Sequence, residues 1–240
     1  MDQSELESQV SLTLSAMSFE NEFQVLLWLV QLHPTEALPL NMKLINSGRE
    51  GHSQRHFTLW SSMTSWAWKM GTKGEVHPDD VKLALEGHVK ENHKFNPFSQ
   101  LTRMIQATTL NPAADDRVHV LVCVMSANAS QINSSVLEKM RRVRKTASDL
   151  KIPQMAILTN IDAACGEIEK DLKNVYKSKH LKKKINDFSA ALGIPINCVF
   201  PVKNYSEEID LKDDVDFLIL SALKKMVDFG TTLSREIVKI

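Results

Sequence analysis

From residue 118 onward the hydrophobic pattern alternates between strand-like and helix-like periods. VHVLVCVMSA (Val118 to Ala127) is a nearly unbroken apolar run, QMAILT before Asn160 is a second, and NCVFPV (Asn197 to Val202) is a third. Runs of this length without alternation suit strands covered on both faces. Between the first two, Ile132, Val136, Leu137, Met140, Val143, Ala147 and Leu150 recur at helical spacing. Beyond the second, Ile168, Leu172 and Val175 mark one helix, placed from Ala163 to Glu169 and onward. Leu181, Ile185, Phe188 and Leu192 mark another, which Gly193 ends and Pro195 keeps from resuming. Asp213 and Asp214 open a last helix with an apolar face of Val215, Leu218, Ile219, Ala222, Leu223 and Met226. Upstream, Val76 to Val89 has Pro78, Asp79 and Asp80 where a helix start wants them, and Phe95 to Asp116 is a loop-rich connection. The order strand, helix, strand, helices, strand, helix predicts an α/β fold. Its strands, at about 118–126, 154–159 and 197–202, should be parallel and adjacent, with right-handed crossovers and helices on both faces.

Composition narrows the function classes. At 240 residues and 43% apolar content the chain has enough hydrophobic material for a sizeable core. Lys plus Arg (29) equals Asp plus Glu (29), so no global field points to nucleic acid or membrane. The run Lys139, Arg141, Arg142, Arg144, Lys145 is read as a solvated helix face. Cys123, Cys165 and Cys198 are odd in number and widely spaced, which fits a reducing compartment and no metal site. His77, His88 and His93 match no ligand spacing and are read as surface histidines. VLLWLV from Val25 is the longest apolar run and is far too short to span a bilayer. A soluble cytoplasmic protein, with no specific nucleic acid and no membrane among its partners, is the expectation.

The candidate chemistry sits in the loop Thr159, Asn160, Ile161, Asp162, at the carboxyl end of the second strand. Open α/β sheets bind their ligands at such ends. A carboxylate there can accept two charge-assisted hydrogen bonds from a guanine edge, a contact adenine cannot offer. The same tetrapeptide also suits an Asx-type loop that caps a helix starting at Ala163.

Several stretches carry a resemblance: EVHPDDVKLALEGHVKENHKFNP, RVHVLVCVMSA, AILTNIDAAC, LGIPINCVFPVKNY and FLILSALKKM. Through them, from Glu75 to about Phe229, the chain resembles the interferon-induced protein 44 and 44-like family. The resemblance implies the C-terminal half of a GTPase-like, P-loop NTPase domain in an immune-response, antiviral setting. It also implies a vestigial guanine site of Thr159, Asn160, Asp162, Lys203 and Asn204. In the family the first loop commonly reads Thr-Lys-x-Asp, so Asn160 replaces the lysine whose stem would lie over the base. Lys203 and Asn204 take the place of the second base-contacting loop. The family's domain begins with a Gly-rich phosphate loop, and no such motif occurs in these 240 residues. The implied protein is therefore no enzyme. It has no catalytic residue, no metal site and no cofactor unless residual GTP and Mg²⁺ binding survives, and its protein partners are unknown.

Residues 1–73 read differently from the rest. All four tryptophans precede residue 74. When the third base of each codon is read with the first two of the next, Met63–Thr64 forces Asp and Trp66–Ala67 forces Gly, an Asp-x-x-Gly pattern. Trp60, Trp68 and Met70 extend it to V-x-x-D-x-x-G-x-E-x-G when Ser61 uses a TCN codon. At the same offset MDQSELESQV can encode G-P-V-G-A-G-K-S-S-F, a phosphate loop. Residues 1–73 are accordingly read as an aberrant, frame-shifted segment, poorly ordered or helical, and residues 74–240 as the C-terminal half of the GTPase-like domain. The alternative is an independent helical segment built on Leu6 to Leu14 and Phe19 to Leu32.

On this reading the first strands of the domain are missing, and the Val118 strand presents an apolar edge. Base contacts without phosphate and Mg²⁺ contacts give about millimolar nucleotide binding or none. Three functions stand side by side: a truncated GTPase-like scaffold, a guanine-nucleotide-binding protein with weak residual affinity, and a non-enzymatic interaction module.

Overall fold

A computed structural model describes residues 26–35, 56–60, 78–89, 100–101, 108–113, 116–129, 134–205, 210 and 212–237. Five strands form one sheet: β1 (Leu26–Thr35), β2 (His56–Trp60), β3 (Val120–Ser126), β4 (Gln154–Thr159) and β5 (Val199–Pro201), in the order β2-β1-β3-β4-β5. β3 and β4 pair in parallel, Leu121 opposite Gln154 through Ser126 opposite Thr159, and β4 and β5 pair in parallel as well. The three expected strands are thus parallel and adjacent. β5 is shorter than the apolar run suggested, because Ile196–Cys198 forms a 3₁₀ turn before it.

The helices of the described residues are α1 (Pro78–Leu85), α2 (Ser134–Asp149), α3 (Ile161–Ala164), α4 (Gly166–Lys170), α5 (Lys179–Leu192) and α6 (Asp213–Ile237). They cover both faces, and β3 shows why its apolar run does not alternate. Leu121, Cys123 and Met125 join Val136, Met140 and Val143 of α2 and Leu181 and Phe188 of α5 in one core. Val120, Val122 and Val124 join Val215, Ile219 and Met226 of α6 in a second core behind the sheet. No helix among the described residues is long and apolar enough to cross a membrane.

The helix expected from Ala163 through Val175 is broken. It starts two residues earlier, and Cys165 and Asp171 both adopt extended backbone. The Asp171 carboxylate accepts the Lys173 amide at 3.0 Å, offering the chain an alternative to helix continuation, so a 3₁₀ turn follows at Leu172–Asn174. α5 ends at Gly193 in the left-handed conformation, φ 74°.

The Val118 strand does not present an open edge. β1 pairs with β3 antiparallel, Leu26 opposite Val124 through Val30 opposite Val120, and β2 extends the ladder from β1. Residues 26–32, read above as helix-like, are therefore strand. A short continuous apolar run such as LLWLV has no period that separates strand from buried helix, and the unpaired amides and carbonyls of β3 favour an extended partner. The remainder of residues 1–73, including Leu6 to Leu14, Met63, Trp66 and Trp68, lies outside the described residues.

Candidate functional site

The carboxyl ends of β3, β4 and β5 converge on the TNID loop. Thr159 is buried, its hydroxyl donating to Met125 O at 3.4 Å while its carbonyl accepts the Ala127 amide at 2.7 Å. These bonds tie the end of β4 to the turn after β3. Asn160 follows at φ 54°, ψ 39°, a left-handed conformation that asparagine tolerates better than most residues. Its Nδ2 donates to Ser126 Oγ at 3.1 Å, so the side chain is directed at the end of β3.

The left-handed turn at Asn160 starts α3, seats Ile161 in the core and puts Asp162 in the first helical turn. Asp162 consequently caps nothing at Ala163, and the capping alternative does not hold. Its Oδ2 lies 3.7 Å from Lys203 Nζ, in an ion pair whose side chains are 24% and 15% exposed. Lys203 Nζ also donates to the carbonyl of Asn204, which is itself buried. The loop after β5 is held from its far side by Tyr205, whose hydroxyl donates to Asp216 at 2.7 Å and accepts the Lys212 amide at 2.8 Å. The structure thus brings Asp162 and Lys203 together, turns Thr159 and Asn160 towards β3, and buries Asn204.

Beside the pair lies an open cleft of about 570 Å³, bounded by Lys203, the Ile168–Lys173 segment and the start of α6. Four lysines and four acids line it, so it carries no net field. Asp162 does not border it.

Two groups of residues behave differently from their sequence reading. Arg141 and Arg144 are not merely solvated. Arg141 Nε donates to Ala191 O at 3.0 Å, while Arg144 donates to Leu192 O and, at 3.0 Å, to Gly193 O. Two guanidinium groups of α2 therefore satisfy the last carbonyls of α5, where cations suit the helix dipole. Their i, i+3 spacing placed them on one face, but the partner helix lies about fifty residues away and is not visible in local pattern. His88 is half-buried, its Nδ1 2.7 Å from Thr109 O, and it holds a loop beside the Val89–Thr108 bridge; His77 and His93 lie outside the described residues. No group of three His, Cys, Asp or Glu able to hold a metal occurs among the described residues.

The cysteines occupy distinct settings. Burial pushes the Cys123 thiol up to about 12, which leaves it unreactive. The Cys165 thiol is lowered from its ordinary value, first by the Ser178 hydroxyl at 3.3 Å and then by backbone amides of α4.

Comparison with known proteins shows the family resemblance. Interferon-induced protein 44 of Mus musculus is 30% identical over 159 residues, 66% of this chain and 38% of that protein. The Homo sapiens interferon-induced protein 44 is 27% identical over 156 residues, 65% of this chain and 35% of that protein. The Homo sapiens interferon-induced protein 44-like is 28% identical over 150 residues, 62% of this chain and 33% of that protein. The chain thus spans little more than a third of the length of these curated relatives. No family model matches the chain, and no solved structure matches it.

Proposed function

We propose that this chain is an interferon-induced, immune-response protein of the cytoplasm, built on the C-terminal half of a GTPase-like domain and acting as a scaffold without GTP turnover. The names of its relatives support the first part. The parallel order β3-β4-β5, with the TNID loop at its carboxyl end, supports the second.

One observation supports the loss of guanine reading, beside the larger loss of phosphate contacts: the carboxylate that would read guanine is engaged by Lys203 at 3.7 Å. A base edge would have to displace an ammonium group from Asp162, and Asn160 offers no aliphatic stem over the base because its amide is spent on Ser126. The residues present therefore do not fit GTP. The sequence supplies no phosphate loop to offset that cost. Residues 1–73 are, on this reading, an out-of-frame translation of the missing half.

Titration with a fluorescent GTP analogue tests the nucleotide part. Binding at about millimolar strength or none is expected, and micromolar binding would overturn it. The transcript tests the frame: its other reading should spell the phosphate loop over Met1 to Val10.

A further inference from the structure

Between Lys170 and Lys184 the chain carries seven lysines and one acid, Asp171, although the whole protein is neutral. Lys170, Lys173, Lys177, Lys179, Lys182 and Lys183 are exposed. None of these ammonium groups enters an ion pair among the described residues, whereas lysines elsewhere do, as in Lys82–Glu86, Lys203–Asp162 and Lys225–Asp228.

Their placement runs against the helix dipole. α1 opens with Asp79 and Asp80 and α6 with Asp213, Asp214 and Asp216, while α5 has no acid in its first turn and begins with Lys179 and His180. Cations at the positive end of a helix weaken it. Lys179 and Lys183 lie within about 6 Å along the axis, less than a Debye length, so their repulsion is felt in physiological salt. A locally unfavourable charge pattern in an otherwise well-patterned helix marks a place where an external anion supplies the compensation. Within the same stretch Tyr176 stands 73% exposed between Lys173 and Lys177.

We propose that the surface of Lys177, Lys179, Lys182 and Lys183, set apart from the neutral cleft that Lys170 and Lys173 line, binds the phosphate backbone of a single-stranded nucleic acid, with Tyr176 offering a ring for a base to stack on. Lysine-rich surface with an interleaved aromatic is the footprint of such binding. The absence of arginine from the stretch means no bidentate base reader, so contact is to backbone and indifferent to sequence. A protein partner fits less well, because interface cores are depleted in lysine. A lipid surface fits less well too, because Tyr176 is the only large exposed apolar side chain in the stretch and lipid anchoring needs more apolar area. The inference is independent of the nucleotide reading above, since none of these residues belongs to the TNID loop.

The test is fluorescence anisotropy of the full chain with a labelled oligouridylate of about 15 nucleotides. A Kd of about 1–100 µM in low salt is expected, weakening about 50-fold between about 50 and 200 mM salt for roughly four neutralised phosphates. Y176A should bind about tenfold more weakly. The combined K177E/K182E/K183E variant should lose binding with an unchanged circular dichroism spectrum. Should that variant unfold, the neutral K177Q/K182Q/K183Q serves in its place and should show a shallower salt dependence. Absence of salt-dependent binding, unchanged affinity in the variants, or binding to phosphatidylserine vesicles without binding to the oligonucleotide would overturn the proposal.

Discussion

β3 has two neighbours of opposite kind. On one side β4 and then β5 run parallel to it, joined through helices that bury both faces of these strands. On the other, β1 and β2 run antiparallel and are linked to the rest of the sheet through one ladder. The parallel side is specified redundantly, by period, crossover and packing on two faces. The antiparallel side is held by the β3 ladder and by contact of β1 with α6. A sheet can therefore hold parallel and antiparallel neighbours on the two sides of one strand.

The comparison is broken most forcefully from the core. Leu158→Ala, which removes a buried β4 side chain, should cost about 2–5 kcal/mol, read as a lower denaturant midpoint. Trp28→Pro, at the hydrogen-bonded pair with Val122 on the antiparallel side, should leave the parallel half folded. In that variant hydrogen exchange should speed at Val122 and Val124, whose amides face β1 by strand alternation, and stay slow at Leu121, which donates to Pro153 O on the β4 side. Loss of protection at both sets would show that the two sides are one cooperative unit.

Arg144→Ala should cost about 1–3 kcal/mol, because it strips the Leu192 and Gly193 carbonyls of their donor. Cys123 gives a pH signature of the doubly covered strand. Its folded pKa, about 12, lies above the ordinary value of 9.0, so the unfolded chain ionises first. Stability is intact below about pH 9 and falls by about 1.4 kcal/mol per pH unit above it, up to the folded pKa. Urea midpoints of Cys123→Ala should lack that part of the slope. The smallest effect belongs to the loop pair: Lys203→Ala should change stability by less than about 1 kcal/mol, since the Asp162 pair is partly hydrated.

What was legible in the sequence divides along the same line. The parallel strands and their helices were readable because a long apolar run flanked by helical periods admits few folds. The strand character of Leu26–Thr35 was not, because it depends on an edge more than eighty residues away in sequence. At the candidate site the loops were legible and their contacts were not. Asp162 and Lys203 are forty-one residues apart, and only the parallel register of β4 and β5 brings their loops together. The break at Asp171 turned on one carboxylate choosing a nearby amide over solvent, which helical periodicity does not register.

The brevity of β5 governs how the sheet can grow. It contributes three residues, one of them Pro201, which has no amide hydrogen to offer. A peptide adding there would find a ladder too short and too poor in donors to hold it. Strand recruitment from outside, the route by which sheets fuse into aggregates or accept a second chain, is closed at that flank by backbone chemistry alone.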